Sequence, residues 1–284
     1  MTSLALGLVL LSAVIHATWN LLTKRAIADT PFLWLVYIVG AIAYAPLAIG
    51  ILVLAKPALG PIALIFVAVA VVLQTVYFIT LSAGYRAGDL SLVYPLARAT
   101  GPLLATIGAI VLFGERPSAV ALAGAVAILA GALVLTGDPR ALGGDRRAVG
   151  FAIATGVVIA LYTLWDKTAV SLLLIPPLLY DWSTVVGQAI VVAPAAFRDR
   201  ARLRETWRSR RAAVIAVGIL SRLSYILVLT ALVVSPVSYV APAREIGILI
   251  GALMGARLLA EGHLARRAVG AAAMVAGIVA LAVG

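Results

Sequence analysis

The sequence predicts an all-α integral membrane protein whose ten transmembrane helices form two inverted five-helix repeats around a central cavity. Three observations predict it. The 284 residues are 64% hydrophobic and 12% charged, with a mean hydropathy of +1.14, far above that of water-soluble domains. Ten apolar segments of about 20 residues, each enough to cross a hydrocarbon core, follow one another. The second half also repeats the first: a shift of 146 positions carries Ala97, Arg98, Gly101, Glu115, Gly124 and Gly131 onto Ala243, Arg244, Gly247, Glu261, Gly270 and Gly277.

The spans are predicted near 3–23, 32–54, 61–84, 90–113, 118–137, 149–170, 175–197, 212–233, 236–258 and 266–283. They are punctuated by Pro31, Lys56-Pro57, Gly60-Pro61, Gly88-Asp89, Glu115-Arg116-Pro117, Asp138-Pro139 and Pro176-Pro177. Met1-Thr2-Ser3 lacks the basic start of a secretory signal, so the first helix is expected to be retained. Residues 1–137 form the first repeat, 138–148 a cytoplasmic linker and 149–284 the second repeat.

The earlier helices of each half repeat as well. Tyr77, Leu81 and Ala83 of the third helix match Tyr225, Leu229 and Ala231 of the eighth, which places Gln74 opposite Arg222. The first and sixth helices share an aromatic residue followed five positions later by lysine, Trp19/Lys24 and Tyr162/Lys167. Five spans is an odd number, so the two copies must cross the bilayer in opposite directions.

Basic residues orient the chain. Taken alternately, the loops place sixteen on one side, seven of them between Arg198 and Arg211, and only Lys56, Arg116 and Lys167 on the other. The basic side is cytoplasmic by the positive-inside bias, with both termini periplasmic, and its arginines face anionic lipid. This confinement, without an interleaved aromatic platform, argues against nucleic acid as the source of the net charge of +11. Cysteine is absent, which excludes disulfides and thiolate metal sites. No P-loop run occurs to use ATP, and no HExxH, GxSxG or histidine cluster to support hydrolysis. No enzyme activity, cofactor or metal is expected.

Two inverted five-helix repeats, the aromatic-x4-Lys ending of each first helix, and the glutamate followed by a glycine-bearing helix at the end of each half resemble the drug/metabolite transporter superfamily, in its EamA-type branch. Within it, the internal histidine and the aromatic content resemble the bacterial amino-acid and metabolite exporters, including the aromatic amino-acid exporter group. The resemblance implies a carrier in the bacterial cytoplasmic membrane, with helices one, three, four, six, eight and nine lining the cavity.

Intramembrane charges mark the candidate site, because a charged side chain at the bilayer centre costs at least ~2.5 kcal/mol and so faces protein or water. Arg98, Arg222 and Arg244 qualify. Arg222 has no charged counterpart in the first half and is the candidate for a substrate carboxylate; the alternative is that each arginine merely locks helices together, Glu245 being an available partner. Around them, at helical spacing, lie His16 with Asn20, Gln74 with Tyr77 and Phe78, Tyr94 beside Arg98, Tyr162 with Trp165 and Asp166, and Tyr225 and Tyr239. Glu245, Asp166 and His16 are the candidates for a coupling proton. Pro95, Gly101, Pro242 and Gly247 are candidate hinges of the fourth and ninth helices. Trp34, Tyr37, Trp182 and Trp207 are expected at the membrane interfaces. The pairs Gly124/Gly131 and Gly270/Gly277 are expected to pack helices closely and to offer a dimerising face.

The expected activity is export of small metabolites, foremost aromatic or hydrophobic amino acids, by alternating access. A lipophilic-cation or nucleotide-sugar-like carrier of the same fold is the alternative. The expected partners are the small-molecule substrate, membrane lipids and a proton, and the expected state is a monomer or weak homodimer.

Overall fold

The computed structural model describes residues 1–26, 29–88, 90–136, 146–256 and 264–284, and among these it contains helices and no strand. The helices are α1 (Ser3–Arg25), α2 (Thr30–Gly50), α3 (Pro61–Ala87), α4 (Leu90–Phe113), α5 (Ala119–Thr136), α6 (Arg146–Lys167), α7 (Pro177–Ala196), α8 (Arg200–Val234), α9 (Val237–Ala243), α10 (Ile246–Ala256) and α11 (Leu264–Val283). The expected linker lies outside the described residues as far as Asp145, as does Glu261; from Arg146 the chain is already α6.

Local chemistry sets the boundaries. Thr2 Oγ1 accepts from the Ala5 N–H at 3.2 Å, Asp29 Oδ1 from Phe32 N–H at 3.1 Å and Ser118 Oγ from Ala121 N–H at 3.0 Å, so α1, α2 and α5 each begin on an oxygen that satisfies a free donor. α4 ends at Gly114, whose φ of 65° is a conformation glycine adopts without cost. α2 continues through a π-helical turn, Ile51–Ala55, and α6 through another, Thr168–Leu172.

Six stretches among the described residues are long and apolar enough to cross a membrane; the last, Pro177–Val234, holds both α7 and α8. α5 and α11 are shorter and equally apolar. Leu54, Leu64, Val111 and Leu112 point outward with 68–86% of their surface exposed, as hydrocarbon-facing residues do and water-facing ones do not.

The chain departs from the expected spans in two places. The predicted ninth span is two helices, α9 and α10, interrupted at Arg244-Glu245: Pro242 supplies no N–H, so the ladder fails beside it. The predicted arginine loop is helical, forming the first part of α8, because arginine is a good helix former and Asp199 Oδ1 accepts from Arg202 N–H at 2.9 Å. α8 then kinks at Arg210, which lies outside helical φ/ψ.

Contacts between the halves are reciprocal. Trp34 of α2 donates to Ala189 O of α7 at 2.9 Å, and Trp182 of α7 donates to Ala41 O of α2 at 2.8 Å; the donors and the acceptors are each 148 positions apart. These indoles are therefore interhelical ties rather than interfacial anchors. α5 packs on α11 through its glycines. A Cβ on Gly124 would stand 2.7 Å from Gly277 O, and one on Gly131 2.7 Å from Gly270 O. With 124 against 277 and 131 against 270, the two helices run antiparallel. The glycine faces expected to dimerise are thus occupied within the chain.

Candidate functional site

α1, α3, α4, α6 and α8 bring their polar and aromatic residues to one cavity of about 390 Å³. Of the residues singled out in the sequence, His16 and Asn20 (α1), Gln74, Tyr77 and Phe78 (α3), Tyr94 and Arg98 (α4), Tyr162 (α6), Arg222 and Tyr225 (α8) and Arg244, at the break between α9 and α10, line it. Ser12, Trp19, Tyr37, Tyr85, Gln188 and Ser224 also line it. The cavity reaches Thr23 and Tyr85, within a turn of the ends of α1 and α3, at the arginine-rich end. At its other limit Ser12 Oγ donates to Ser224 O at 2.8 Å and ties α1 to α8.

Three expected site residues are elsewhere. Trp165 stacks on Phe66 with centroids 4.1 Å apart and donates its indole N–H to Phe66 O at 2.9 Å, facing α3 from outside the cavity. Tyr239 donates its hydroxyl to Gly284 O at 3.3 Å, beyond α4 and α5. Asp166 lies behind the wall, buried, accepting from Tyr180 Oη at 2.7 Å and from Tyr225 Oη.

The three arginines divide into two kinds. Arg98 Nε stands 2.9 Å from Glu245 Oε2, with 10% and 4% of the side chains exposed. Arg222 Nη1 donates to Asp181 Oδ1 of α7 at 3.1 Å. The expectation that Arg222 is free for a carboxylate is corrected here: a carboxylate of the chain already holds it. Arg244 makes no ion pair or hydrogen bond through its guanidinium among the described residues, and stands over the Tyr225 ring, 5.8 Å from its centroid. A line of contacts thus runs from Arg244 to the Tyr225 ring and through its hydroxyl to Asp166. Among the described residues no carboxylate lines the cavity.

Of the three arginines only Arg244 lacks an ion-pair partner among the described residues, as the sequence correspondence leads one to expect. Arg98 corresponds to Arg244, so Glu245 corresponds to Ala99, and the first half has no carboxylate to return the ion pair. The same logic fits Arg222 into the wall. Gln188 Nε2 donates to Gln74 Oε1 at 2.9 Å, whereas at the corresponding pair Gly40 faces Arg222, and a Cβ on Gly40 would stand 2.9 Å from Arg222 Cγ. Glycine clears the space that the arginine stem occupies.

Other marked residues have structural duties. Glu115 accepts from Val237 N–H at 2.7 Å and Ser238 N–H at 2.9 Å, capping α9. Lys167 donates to Leu232 O at 2.6 Å and Ser235 O at 3.1 Å at the end of α8. Of the proposed hinges, Pro95 leaves α4 continuous, Pro242 precedes the α9–α10 break, and Gly247 has only ordinary contacts with α1. Gly101 is a packing glycine, since a Cβ there would stand 2.6 Å from Ile159 Cγ2.

Asp181 and Gln188 escaped the sequence reading. The available signal for Asp181 was a single carboxylate inside apolar α7, matched by a single arginine inside the next span.

Residues 3–137 match the EamA-like transporter family model. The first half of the chain is an EamA-like transporter domain. Members of that family are membrane transporters of small substrates, and the apolar helices make the chain a multi-pass membrane protein. A solved structure titled "Crystal structure of protein" superposes on this chain with a TM-score of 0.74 at 17% identity, covering 99% of this chain and 96% of that one. At that identity the likeness speaks for the fold, across both halves. No curated protein matches the sequence.

Proposed function

We propose that the protein exports amino acids with aromatic or hydrophobic side chains across the bacterial cytoplasmic membrane, by alternating access of two inverted five-helix repeats, residues 1–137 and 149–284. The reciprocal Trp34/Trp182 bonds and the antiparallel glycine contacts of α5 and α11 support a two-fold axis in the membrane plane. The basic bias places the arginine-rich end, and with it the mouth of the cavity, in the cytoplasm and the termini outside.

One observation carries the substrate reading: Arg244 is a guanidinium with no ion pair among the described residues, in a cavity walled by Trp19, Tyr77, Phe78, Tyr94, Tyr162 and Tyr225. A cation with such walls suits a carboxylate joined to an apolar or aromatic body. His16, Asn20 and Gln74 offer polar atoms for the amino group. Asp166, which has no cationic partner at ion-pair distance and is reached through Tyr225, is the best-placed site for a coupling proton.

The test is counterflow of radiolabelled phenylalanine and tryptophan in proteoliposomes. Wild type accumulates label, Arg244→Ala does not, and Arg244→Lys retains part of the activity. Undiminished transport by Arg244→Ala overturns the assignment. A lipophilic cation is disfavoured, because the wall offers three guanidiniums and no carboxylate.

A further inference from the structure

A second hollow lies apart from the central cavity, where the C-terminal end of α1 meets the kink of α8. It is an open cleft of about 430 Å³, lined by Leu22, Arg25, Ala26, Ser209 and the run Arg208–Ala213. Four arginines face it and no carboxylate does. Arg210 is engaged, donating from Nη1 to Ala26 O at 2.9 Å, which holds the kink against the end of α1. Arg25, Arg208 and Arg211 are exposed and have no side-chain partner among the described residues. By contrast, Arg202, farther along the same helix, is neutralised by Asp29 at 2.8 Å.

The cleft is built as well as charged. Leu203 packs on the apolar cluster of Phe32, Leu35, Val36, Val214 and Val217, and Thr206 is buried. The segment before the kink is thereby strapped across the ends of α1 and α2. Trp207 on that segment and Phe197 just before it are 41% and 42% exposed, the aromatic content of a surface seated at the headgroup level.

We propose that this cleft binds the phosphate-bearing headgroup of an anionic phospholipid. Guanidiniums are matched donors for phosphate oxygens, and the position, at the end of a membrane-crossing helix and next to the exposed Trp207, is where such a phosphate lies. The lipid bridges α1 and the kink of α8, two elements that also wall the central cavity, so occupancy fixes their separation. The proposal does not depend on which substrate the cavity carries.

The test titrates phosphatidylglycerol, phosphatidylcholine and inorganic phosphate separately into purified full-length protein in detergent, following melting temperature. One triple variant removes the cleft charges (Arg25→Gln, Arg208→Gln, Arg211→Gln); another removes as many from outside it (Arg198→Gln, Arg200→Gln, Arg204→Gln). Phosphatidylglycerol is expected to raise the melting temperature of wild type and of the second variant, saturably. The cleft variant should need about tenfold more lipid or more, as three surface charges warrant. Single Arg208→Gln, with an intermediate loss, serves should the cleft triple fail to fold. An equal loss in both triples, an equal response to phosphatidylcholine, or the full response with inorganic phosphate alone each overturns the proposal.

Discussion

Glu245 lies 2.9 Å from Arg98, joining the α9–α10 break to α4, and neither side chain is more than 10% exposed. The pair joins the halves at the wall of the cavity, where water cannot replace either partner. Glu245→Gln leaves a buried guanidinium uncompensated and should cost about 3–5 kcal/mol, read as a lower melting temperature in detergent. Arg98→Met with Glu245→Leu should recover most of that loss. A double variant as unstable as the single one would mean that the ion pair is not the cause.

Arg222 and Arg244 should fail differently. Arg222→Ala strands Asp181, which is 2% exposed on its side chain, so its loss should appear first in stability. Arg244 has no such partner, and Arg244→Ala should fold normally while losing roughly 10- to 100-fold in amino-acid affinity, the scale of a charge-assisted contact. Thermal-shift titrations with phenylalanine separate the two outcomes.

Much of this site was legible in the chain, because an arginine inside an apolar span must face protein or water, and the three so placed do line the cavity. Their division of labour was not legible. It depends on which carboxylate of a neighbouring helix lies within reach: Asp181 is 41 residues from Arg222, a separation no helical periodicity links. Trp165 was misassigned for the same reason. Its spacing put it beside Tyr162, but its angle around α6 turned it to Phe66. The arginine run has the charge of a cytoplasmic loop and the propensity of a helix, and the propensity prevails, while the kink at Arg210 that ends its first segment has no counterpart in residue type.

Tyr225 and Tyr180 share Asp166 but only Tyr225 borders the cavity. Each Tyr→Phe change removes one donor from a buried carboxylate, a loss of about 1.5–3 kcal/mol. Tyr225→Phe should also weaken substrate binding, by less than Arg244→Ala, whereas Tyr180→Phe should leave binding unchanged. A binding loss confined to Tyr180→Phe would place the substrate on the other face of Asp166.

The glycines of α5 and α11 should tolerate no side chain. Gly124→Leu or Gly270→Leu drives carbon into a backbone carbonyl that a Cβ alone would approach to 2.7–2.8 Å, and should cost about 3 kcal/mol or more. Gly7→Ala is the matched control: nothing lies within 4 Å of its Cβ position, so the gain in helix propensity, about 1 kcal/mol, should show as a small rise in melting temperature.

The indole ties test how α2 is held to α7. Trp34 binds Ala189 O and Trp182 binds Ala41 O at distances within 0.1 Å of each other. Trp34→Phe and Trp182→Phe each remove one indole-to-carbonyl bond between α2 and α7 and should each cost about 1 kcal/mol. The double variant should cost their sum, because each bond closes a different end of the α2–α7 contact and the two share no partner. A double variant that costs clearly less than the sum would mean that the two bonds close one contact and not its two ends.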